Sequence, residues 1–245
     1  MSILSKLKMI IEKKGAAYVV LFDPDLKNDK IMESQIKAAN DSGVDALFVG
    51  GSLMMDSNYN RRVQLIKELS ELPIIFFPGS SGQLNSHYDA ILFLAMLSGR
   101  NPHYLIGEQV ISAPIIHDLE IETISTGYIL MDGGIKSSVE IISGTRSIPM
   151  DRLDVAVAHA LAGQYLGMDL IYLEAGSGAK NPVSNEVIRS VSQKLEIPLI
   201  VGGGIRDADA AKEKVDAGAS IIVTGNAIEK NSSLMSEIAD SVHNS

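Results

Sequence analysis

The chain has 245 residues, of which 46% are hydrophobic, enough for one large core. It contains no cysteine and no tryptophan, so disulfides, iron–sulfur clusters and thiolate zinc sites are excluded. The formal net charge of -9 opposes general binding to nucleic acid or to anionic membranes, because both need clustered Lys and Arg. We therefore expect no nucleic-acid partner.

The first 15 residues form an amphipathic pattern in which apolar residues alternate with lysines. This pattern lacks the long apolar centre and the cleavage site of a signal peptide. No apolar run elsewhere approaches the roughly 20 residues that a membrane-spanning helix needs. We expect a cytoplasmic protein without a transmembrane segment.

Short apolar runs recur along the chain with helical patterns between them. Eight of these runs predict β-strands, at residues 18–22, 46–49, 74–77, 91–94, 128–131, 170–173, 199–201 and 221–223. Runs that are apolar on both faces are typical of a buried parallel sheet, and eight of them alternating with helices fit a (β/α)8 TIM barrel. Barrels of this length form one domain, so residues 1–245 are predicted to be a single unit.

Several helix boundaries can be read from the sequence. Asp207 is predicted to cap a helix that Gly218 ends. Asn28 or Asp29 is predicted to open the helix after the first strand, and a further helix is predicted at residues 151–165. The remaining long intervals, 98–125 and 132–150, are interpreted as elaborations of the barrel.

One interval breaks the alternation of strand and helix. Residues 78–89, between the third and fourth strands, are too few and too rich in Gly, Ser and Asn for a covering helix. The sequence therefore predicts a modified TIM barrel that lacks its third covering helix. The gap leaves an opening in the outer layer where a long apolar molecule can lie.

Three successive strands end in glycine-rich segments, at residues 172–178, 201–206 and 223–227. Glycine lets main-chain N–H groups approach a phosphate, and a helix that starts there adds a partial positive charge. The carboxyl ends of barrel strands meet at one rim, so the three segments predict a phosphate pocket. Lys180 and Arg206 are nearby basic residues that can add charge to it.

Two oxygen-bearing side chains are predicted to face this pocket across the barrel mouth. Asp23 follows the first strand and Ser52 follows the second. A carboxylate and a hydroxyl are hard donors that suit Mg²⁺, which keeps several waters and also takes oxygens from a phosphate-bearing substrate. Mg²⁺ is therefore the predicted cofactor, and Asp25 is a second carboxylate on the same loop.

These strand ends together resemble the geranylgeranylglyceryl phosphate synthase family over nearly the whole chain. The resemblance rests on residues 22–25, 50–52, 172–178, 201–206 and 224–226, and the run Tyr-Leu-Glu-Ala-Gly-Ser-Gly at 172–178 is its most specific part. That family is also a barrel without the third helix. The resemblance implies an enzyme of ether lipid biosynthesis, a Mg²⁺-dependent prenyltransferase that joins geranylgeranyl diphosphate to the C3 hydroxyl of sn-glycerol 1-phosphate. It also implies a homo-oligomer, a dimer or a hexamer.

The resemblance further implies roles for individual residues. sn-Glycerol 1-phosphate would be bound by Tyr172, Leu173, Glu174, Ala175, Gly176, Ser177, Gly178, Gly203, Gly204, Gly225 and Asn226. Asp23 and Ser52 would hold the Mg²⁺ that carries the prenyl diphosphate. Glu174 would take the proton from the attacking hydroxyl, and Tyr172 would face the developing cation. A prenyl groove is expected around Tyr88, Met96, Tyr104 and Ile106.

Three other interpretations of the sequence stay open. An isomerase or lyase with the same phosphate loops is one, although such enzymes commonly carry a Lys or a pair of Asp residues at strand ends. A lipid-carrier or phosphate-sensing barrel without catalysis is another. The third is a heptaprenyl-type synthase. Some members of the wider family have a lysine where this chain has Leu21, which favours the geranylgeranyl branch.

Overall fold

Eight parallel strands close into a barrel in sequence order, and the last strand pairs with the first. A computed structural model describes residues 1–243 of the chain. The strands are β1 (Ala17–Phe22), β2 (Ala46–Val49), β3 (Ile74–Phe76), β4 (Ala90–Met96), β5 (Glu122–Leu130), β6 (Leu170–Glu174), β7 (Leu199–Gly202) and β8 (Ile221–Thr224). All eight predicted strands are present, and the predicted (β/α)8 barrel is confirmed.

Helices join and surround the strands. They are α1 (Ile3–Lys14), α2 (Met32–Asp41), α3 (Tyr59–Leu69), α4 (Glu108–Asp118), α5 (Ser138–Ser143), α6 (Leu153–Tyr165), α7 (Asn185–Ser192), α8 (Ala208–Asp216), α9 (Asn226–Lys230) and α10 (Leu234–His243). Within residues 1–243, no helix is both long enough and apolar enough to cross a membrane.

The core has two layers because successive side chains of a strand point to opposite faces. One layer fills the barrel interior and includes Val19, Phe48, Ile75 and Tyr172. The other layer lies between the sheet and the helices. A side chain that can reach a ligand inside the barrel must therefore come from an inward position or from a loop at the rim.

The structure confirms one expected helix boundary and corrects another. The Asp207 cap of α8 is confirmed, since its carboxylate accepts a hydrogen bond from the Ala210 amide at 2.8 Å. The expected start of α2 is wrong: Leu26–Asn28 form a 3-10 turn capped by Asp25, and α2 begins at Met32.

The interval 98–125 was expected to elaborate the barrel, and this expectation is wrong. It holds the covering helix α4 and the first residues of β5, which begins at Glu122 instead of residue 128. The first half of β5 is partly exposed and polar, so it lacks the continuous apolar run that identified the other strands. Helix α5 lies within 132–150 and is an addition before the covering helix α6.

The third covering helix is missing, as predicted. Between β3 and β4 the described chain forms only a 3-10 turn, Ser81–Gln83. The capping box of Ser80 and Gln83 closes this turn on itself, and no helical run follows it. The outer layer is therefore open beside β3 and β4.

A charged cluster at the amino ends of the strands joins both terminal helices to the barrel. The Asp45 carboxylate accepts hydrogen bonds from Lys14 Nζ at 2.7 Å, from His243 Nε2 at 2.8 Å and from the Tyr18 amide at 2.8 Å. Burial by itself raises the pKa of Asp45, but the hydrogen bonds outweigh it and the pKa lies below its ordinary value.

We predict that Asp45→Asn lowers the free energy of unfolding by about 2 kcal/mol, because charge-assisted hydrogen bonds to the two helices are lost. The Asp45 contribution is fully present above the pKa of the unfolded chain and is lost as pH falls through the lower folded-state pKa. Urea unfolding of wild type and Asp45→Asn at pH 7 and at pH 3 tests this. The difference between the two proteins should shrink at pH 3, and an equal difference at both values would contradict it.

Candidate active site

A cavity of about 650 Å³ opens at the carboxyl ends of the strands. The loops after β1, β2, β3, β6, β7 and β8 line its polar part. The apolar part of the cavity, called the apolar arm below, lies along β3 and β4. It is lined by Phe76, Leu84, Ile91, Phe93, Tyr104 and Ile142. This arm occupies the opening that the missing third helix leaves.

Glu174 lies at the carboxyl end of β6 and points into this cavity. Its side chain is buried, and Oε1 accepts a hydrogen bond from the Gly176 amide at 2.8 Å. Burial raises the pKa of Glu174 to about 7, although the Tyr172 hydroxyl and the Gly176 amide oppose the shift. A carboxylate with a pKa near neutrality can both take and return a proton at physiological pH.

Tyr172, two residues earlier on β6, points inward on the same face of the strand. Its ring packs against Phe77 and Tyr128, with 5.5 Å between ring centroids in each pair. The Tyr172 hydroxyl is buried beside Glu174 and makes no hydrogen bond of good geometry within the described residues. The cavity floor is therefore an aromatic cluster with one carboxylate and one unsatisfied hydroxyl.

The glycines after β6 and β7 bring backbone N–H groups to the rim next to Glu174. Gly178, Gly203 and Gly204 have φ angles of +74°, +81° and +76°, which only glycine adopts readily. Their amides make no hydrogen bond to the described protein. A Cβ on Gly203 would come within 2.4 Å of Glu174 Oε1, so this backbone and the carboxylate are in direct contact. Free amides of this kind suit an anion.

Two further residues complete the anion side of the cavity. Gly225 and Asn226 follow β8, and Asn226 begins helix α9. The Ser177 hydroxyl donates a hydrogen bond to Asn226 Oδ1 at 3.1 Å, which connects the loops after β6 and β8. Ser177, Gly178, Gly203, Gly204, Gly225 and Asn226 all line the cavity, as the sequence predicts.

Three residues of the expected set lie outside the cavity. Leu173 points into the layer between sheet and helices, because its neighbours Tyr172 and Glu174 take the inward positions. The Ala175 amide is already bonded to the Gly202 carbonyl at 3.1 Å. The Gly176 amide is bonded to Glu174. These residues shape the loop, and their amides and side chains are occupied by protein.

The two predicted metal ligands, which follow β1 and β2, also line the cavity, and β1 is the neighbour of β8, whose loop carries Gly225. A Cβ on Gly51 would come within 2.4 Å of Asp23 Oδ1, so the Asp23 carboxylate lies against the backbone that leads to Ser52. Asp25 instead accepts a hydrogen bond from the Lys27 amide, and it does not line the cavity. Burial raises the pKa of Asp23 to about 6, and the charge of Lys27 opposes this shift.

The donor set at Asp23 and Ser52 fits Mg²⁺ in one particular way. Within residues 1–243, no group of three or more His, Cys, Asp or Glu side chains could hold a metal ion. A cation here would have one carboxylate and one hydroxyl from the protein, and water and substrate oxygens would complete its shell, as Mg²⁺ commonly accepts. The ammonium group of Lys27 also lies near this carboxylate, because Lys27 Nζ is 3.8 Å from Asp23 Oδ2.

The basic residues of the site differ from those expected. Arg206 lines the cavity, but its guanidinium donates to the Ala179 carbonyl at 2.9 Å and so holds the loop after β6. Lys180 does not line the cavity, whereas Lys27 does. Sequence reasoning missed Lys27, although its position four residues after Asp23 was a usable signal.

The expected prenyl groove is partly corrected. Met96 and Tyr104 line the cavity. Tyr88 does not, because its ring stacks on Phe76 with 4.5 Å between centroids and its hydroxyl pairs with Tyr59. Ile106 is 59% exposed on the outer surface. Their apolar character alone did not distinguish the groove from the core or the surface.

The fold and the site define a (β/α)8 barrel protein in which free glycine amides, suited to an anion, lie beside a buried carboxylate. The model of the PcrB family matches residues 8–242, and the chain belongs to that family. It is 45% identical to a geranylgeranylglyceryl phosphate synthase from Chitinophaga pinensis over 93% of this chain and 90% of the relative. A synthase of the same name from Pyrococcus horikoshii is 43% identical over 93% of this chain and 90% of that relative.

A solved structure is also similar along the whole chain. It is the crystal structure of (S)-3-O-geranylgeranylglyceryl phosphate synthase from Thermoplasma acidophilum in complex with the substrate sn-glycerol-1-phosphate. Its sequence is 35% identical, the TM-score is 0.92, and the match covers 100% of both chains.

We predict that Gly203→Ala weakens anion binding at least tenfold, because the new Cβ meets Glu174 Oε1 at 2.4 Å and the Gly176 amide at 2.8 Å. The rise in melting temperature with added inorganic phosphate measures this. Gly167→Ala is the matched control: Gly167 has a similar φ of +84° but no atom within 4 Å of a Cβ. Equal phosphate responses in both variants would contradict the assignment of Gly203.

Proposed function

We propose that this protein is a geranylgeranylglyceryl phosphate synthase. It transfers the geranylgeranyl group of geranylgeranyl diphosphate to the C3 hydroxyl of sn-glycerol 1-phosphate and releases diphosphate. The observation that supports this most is one continuous cavity lined by the glycine amides, by Glu174, by Asp23 and Ser52, and by an apolar arm. A phosphate-binding isomerase or lyase has no use for the apolar arm.

Glu174 acts as the general base in the proposed reaction. In the proposed reaction the free amides of Gly178, Gly203 and Gly204 hold the phosphate of glycerol phosphate and direct its hydroxyl toward this carboxylate. The bond between the allylic carbon and the diphosphate oxygen breaks, and a bond from the glycerol oxygen to that carbon forms. The hydroxyl proton passes to Glu174, whose pKa of about 7 suits a general base.

The other residues stabilise charge and exclude water. The rings of Tyr172, Phe77 and Tyr128 line the cavity beside Glu174, and their faces suit an allylic carbon that becomes positive. Asp23 and Ser52 would hold Mg²⁺, which would supply positive charge to the departing diphosphate. Lys27, next to Asp23, adds a positive charge at the same end of the cavity.

Incubation with sn-glycerol 1-phosphate and prenyl diphosphates of graded length, with and without Mg²⁺, tests the proposal. We expect the prenylated glycerol phosphate in the mass spectrum with Mg²⁺, and highest turnover with the geranylgeranyl chain. A preference for the heptaprenyl chain would support the alternative synthase. If no prenyl diphosphate of any length gives product, the proposal is overturned.

We predict that Glu174→Gln lowers kcat at least 100-fold while the affinity for sn-glycerol 1-phosphate changes less than threefold, because the amide cannot accept the proton. In the wild type, kcat/KM should fall as pH drops below about 7, where Glu174 becomes protonated. Rapid-quench kinetics and calorimetric titration measure these quantities. Transfer at the wild-type rate by Glu174→Gln would remove Glu174 from the chemistry.

We predict that Asp23→Asn raises the Mg²⁺ concentration for half-maximal activity at least tenfold, because a carboxylate ligand becomes neutral. Asp25→Asn is the matched control on the same loop, since an asparagine can still cap the 3-10 turn. It should keep the wild-type Mg²⁺ response in steady-state assays. The same response in Asp23→Asn and wild type would argue against this metal site.

The oligomeric state and the cytoplasmic location stay predictions. Exposed apolar residues on α4, among them Val110, Ile111 and Ile115, are compatible with association of subunits.

A further inference from the structure

The 3-10 turn that replaces the third helix carries a buried glutamine with an unusual set of partners. Gln83 is 1% exposed, although the turn lies at the rim of the barrel. Its Oε1 accepts hydrogen bonds from the Gly79 amide at 2.8 Å and from the Ser80 amide at 3.2 Å. Its Nε2 donates to the Gly51 carbonyl at 2.8 Å. One side chain thus ties the loop after β3 to the loop after β2.

Gly51, to which Gln83 is bonded, is closely packed against both the loop after β3 and Asp23. A Cβ on Gly79 would come within 2.3 Å of the Gly51 carbonyl oxygen. A Cβ on Gly51 itself would come within 2.4 Å of Asp23 Oδ1. The backbone of Gly51 is therefore held between the loop after β3 and the Asp23 carboxylate, and Ser52 is the next residue along the chain.

The turn itself is held from the other side as well. The Ser81 amide donates a hydrogen bond to Glu108 Oε2 at 2.7 Å, and Glu108 is the first residue of α4. Gly79, Ser80, Ser81 and Glu108 line the cavity. The turn consequently forms the part of the wall where the polar end of the cavity meets its apolar arm.

We propose that Gln83 is a positioning residue for the prenyl diphosphate end of the site. Its amide keeps Ser52 beside Asp23 and keeps the loop after β3 at the entrance of the apolar arm, a task for which this barrel has no third helix. Gln83 itself does not touch the substrate. The inference rests on the proposed function, because it assigns the diphosphate to Asp23 and Ser52.

Gln83→Met tests this inference, because methionine has a similar volume and loses all three hydrogen bonds. We expect the KM for geranylgeranyl diphosphate and the half-maximal Mg²⁺ concentration to rise at least tenfold. The dissociation constant for sn-glycerol 1-phosphate should change less than twofold, since the glycine loops after β6 and β7 are not neighbours of the loops after β2 and β3. Calorimetric titration of Mg²⁺ with inorganic diphosphate gives a readout independent of turnover and should show the same weakening.

Asn40→Leu is the matched control, because it also removes a side-chain amide that bonds two segments of the chain. Asn40 donates to the Leu69 carbonyl at 2.9 Å and accepts from the Glu71 amide at 3.1 Å, and it joins α2 to the carboxyl end of α3 away from the cavity. It should lower the melting temperature and leave the KM for geranylgeranyl diphosphate and the Mg²⁺ response unchanged. A purely structural role of Gln83 would give the same pattern in Gln83→Met and would overturn the inference.

Gly79→Ala provides a second route to the same contact if Gln83→Met does not fold. The new Cβ would meet the Gly51 carbonyl oxygen at 2.3 Å and Gln83 Oε1 at 3.0 Å, so it separates the loops after β2 and β3 without removing the glutamine. It should weaken diphosphate and Mg²⁺ binding and spare sn-glycerol 1-phosphate. Unchanged diphosphate binding in this variant would overturn the inference. A wild type that binds no Mg²⁺ diphosphate and makes no product would instead overturn the proposed function.

Discussion

The closure of eight parallel strands is the constraint on which the site depends. Because every strand runs in the same direction, all eight carboxyl ends meet at one rim, and loops far apart in the sequence become neighbours. Within each strand the side chains alternate, so Tyr172 and Glu174 point inward while Leu173 joins the outer core. Closure thus brings the first-strand loop with Asp23 to the same cavity as Glu174 on the sixth strand.

The second feature of this site is the close approach of a glycine backbone to a carboxylate, which occurs at both Glu174 and Asp23. Gly203 lies against Glu174, and Gly51 lies against Asp23. In both places a Cβ on the glycine would clash with a carboxylate oxygen, at 2.4 Å. Burial raises the pKa of both carboxylates, that of Glu174 to about 7 and that of Asp23 to about 6, and at Asp23 the charge of Lys27 opposes the shift.

The missing third helix connects fold and function physically. A covering helix there would fill the space beside β3 and β4, where the apolar arm of the cavity now lies. The chain replaces the lost packing with hydrogen bonds from single side chains: Gln83 holds the loop after β2, and Glu108 holds the turn from α4. Such polar contacts keep the wall in place without filling the groove.

The sequence by itself determined the eight strands, the absent helix and many of the residues that line the cavity, since Glu174, Asp23, Ser52 and the glycine loops stand at the ends of apolar runs. These features are local, and barrel topology alone places strand ends at one rim. Only the tertiary structure decided which apolar residues line the groove, because Tyr88 and Met96 are distinguished by packing partners that the sequence does not show. It also decided the role of Gln83, because a turn glutamine is usually solvated, and its burial depends on contacts with Gly51 more than 30 positions away.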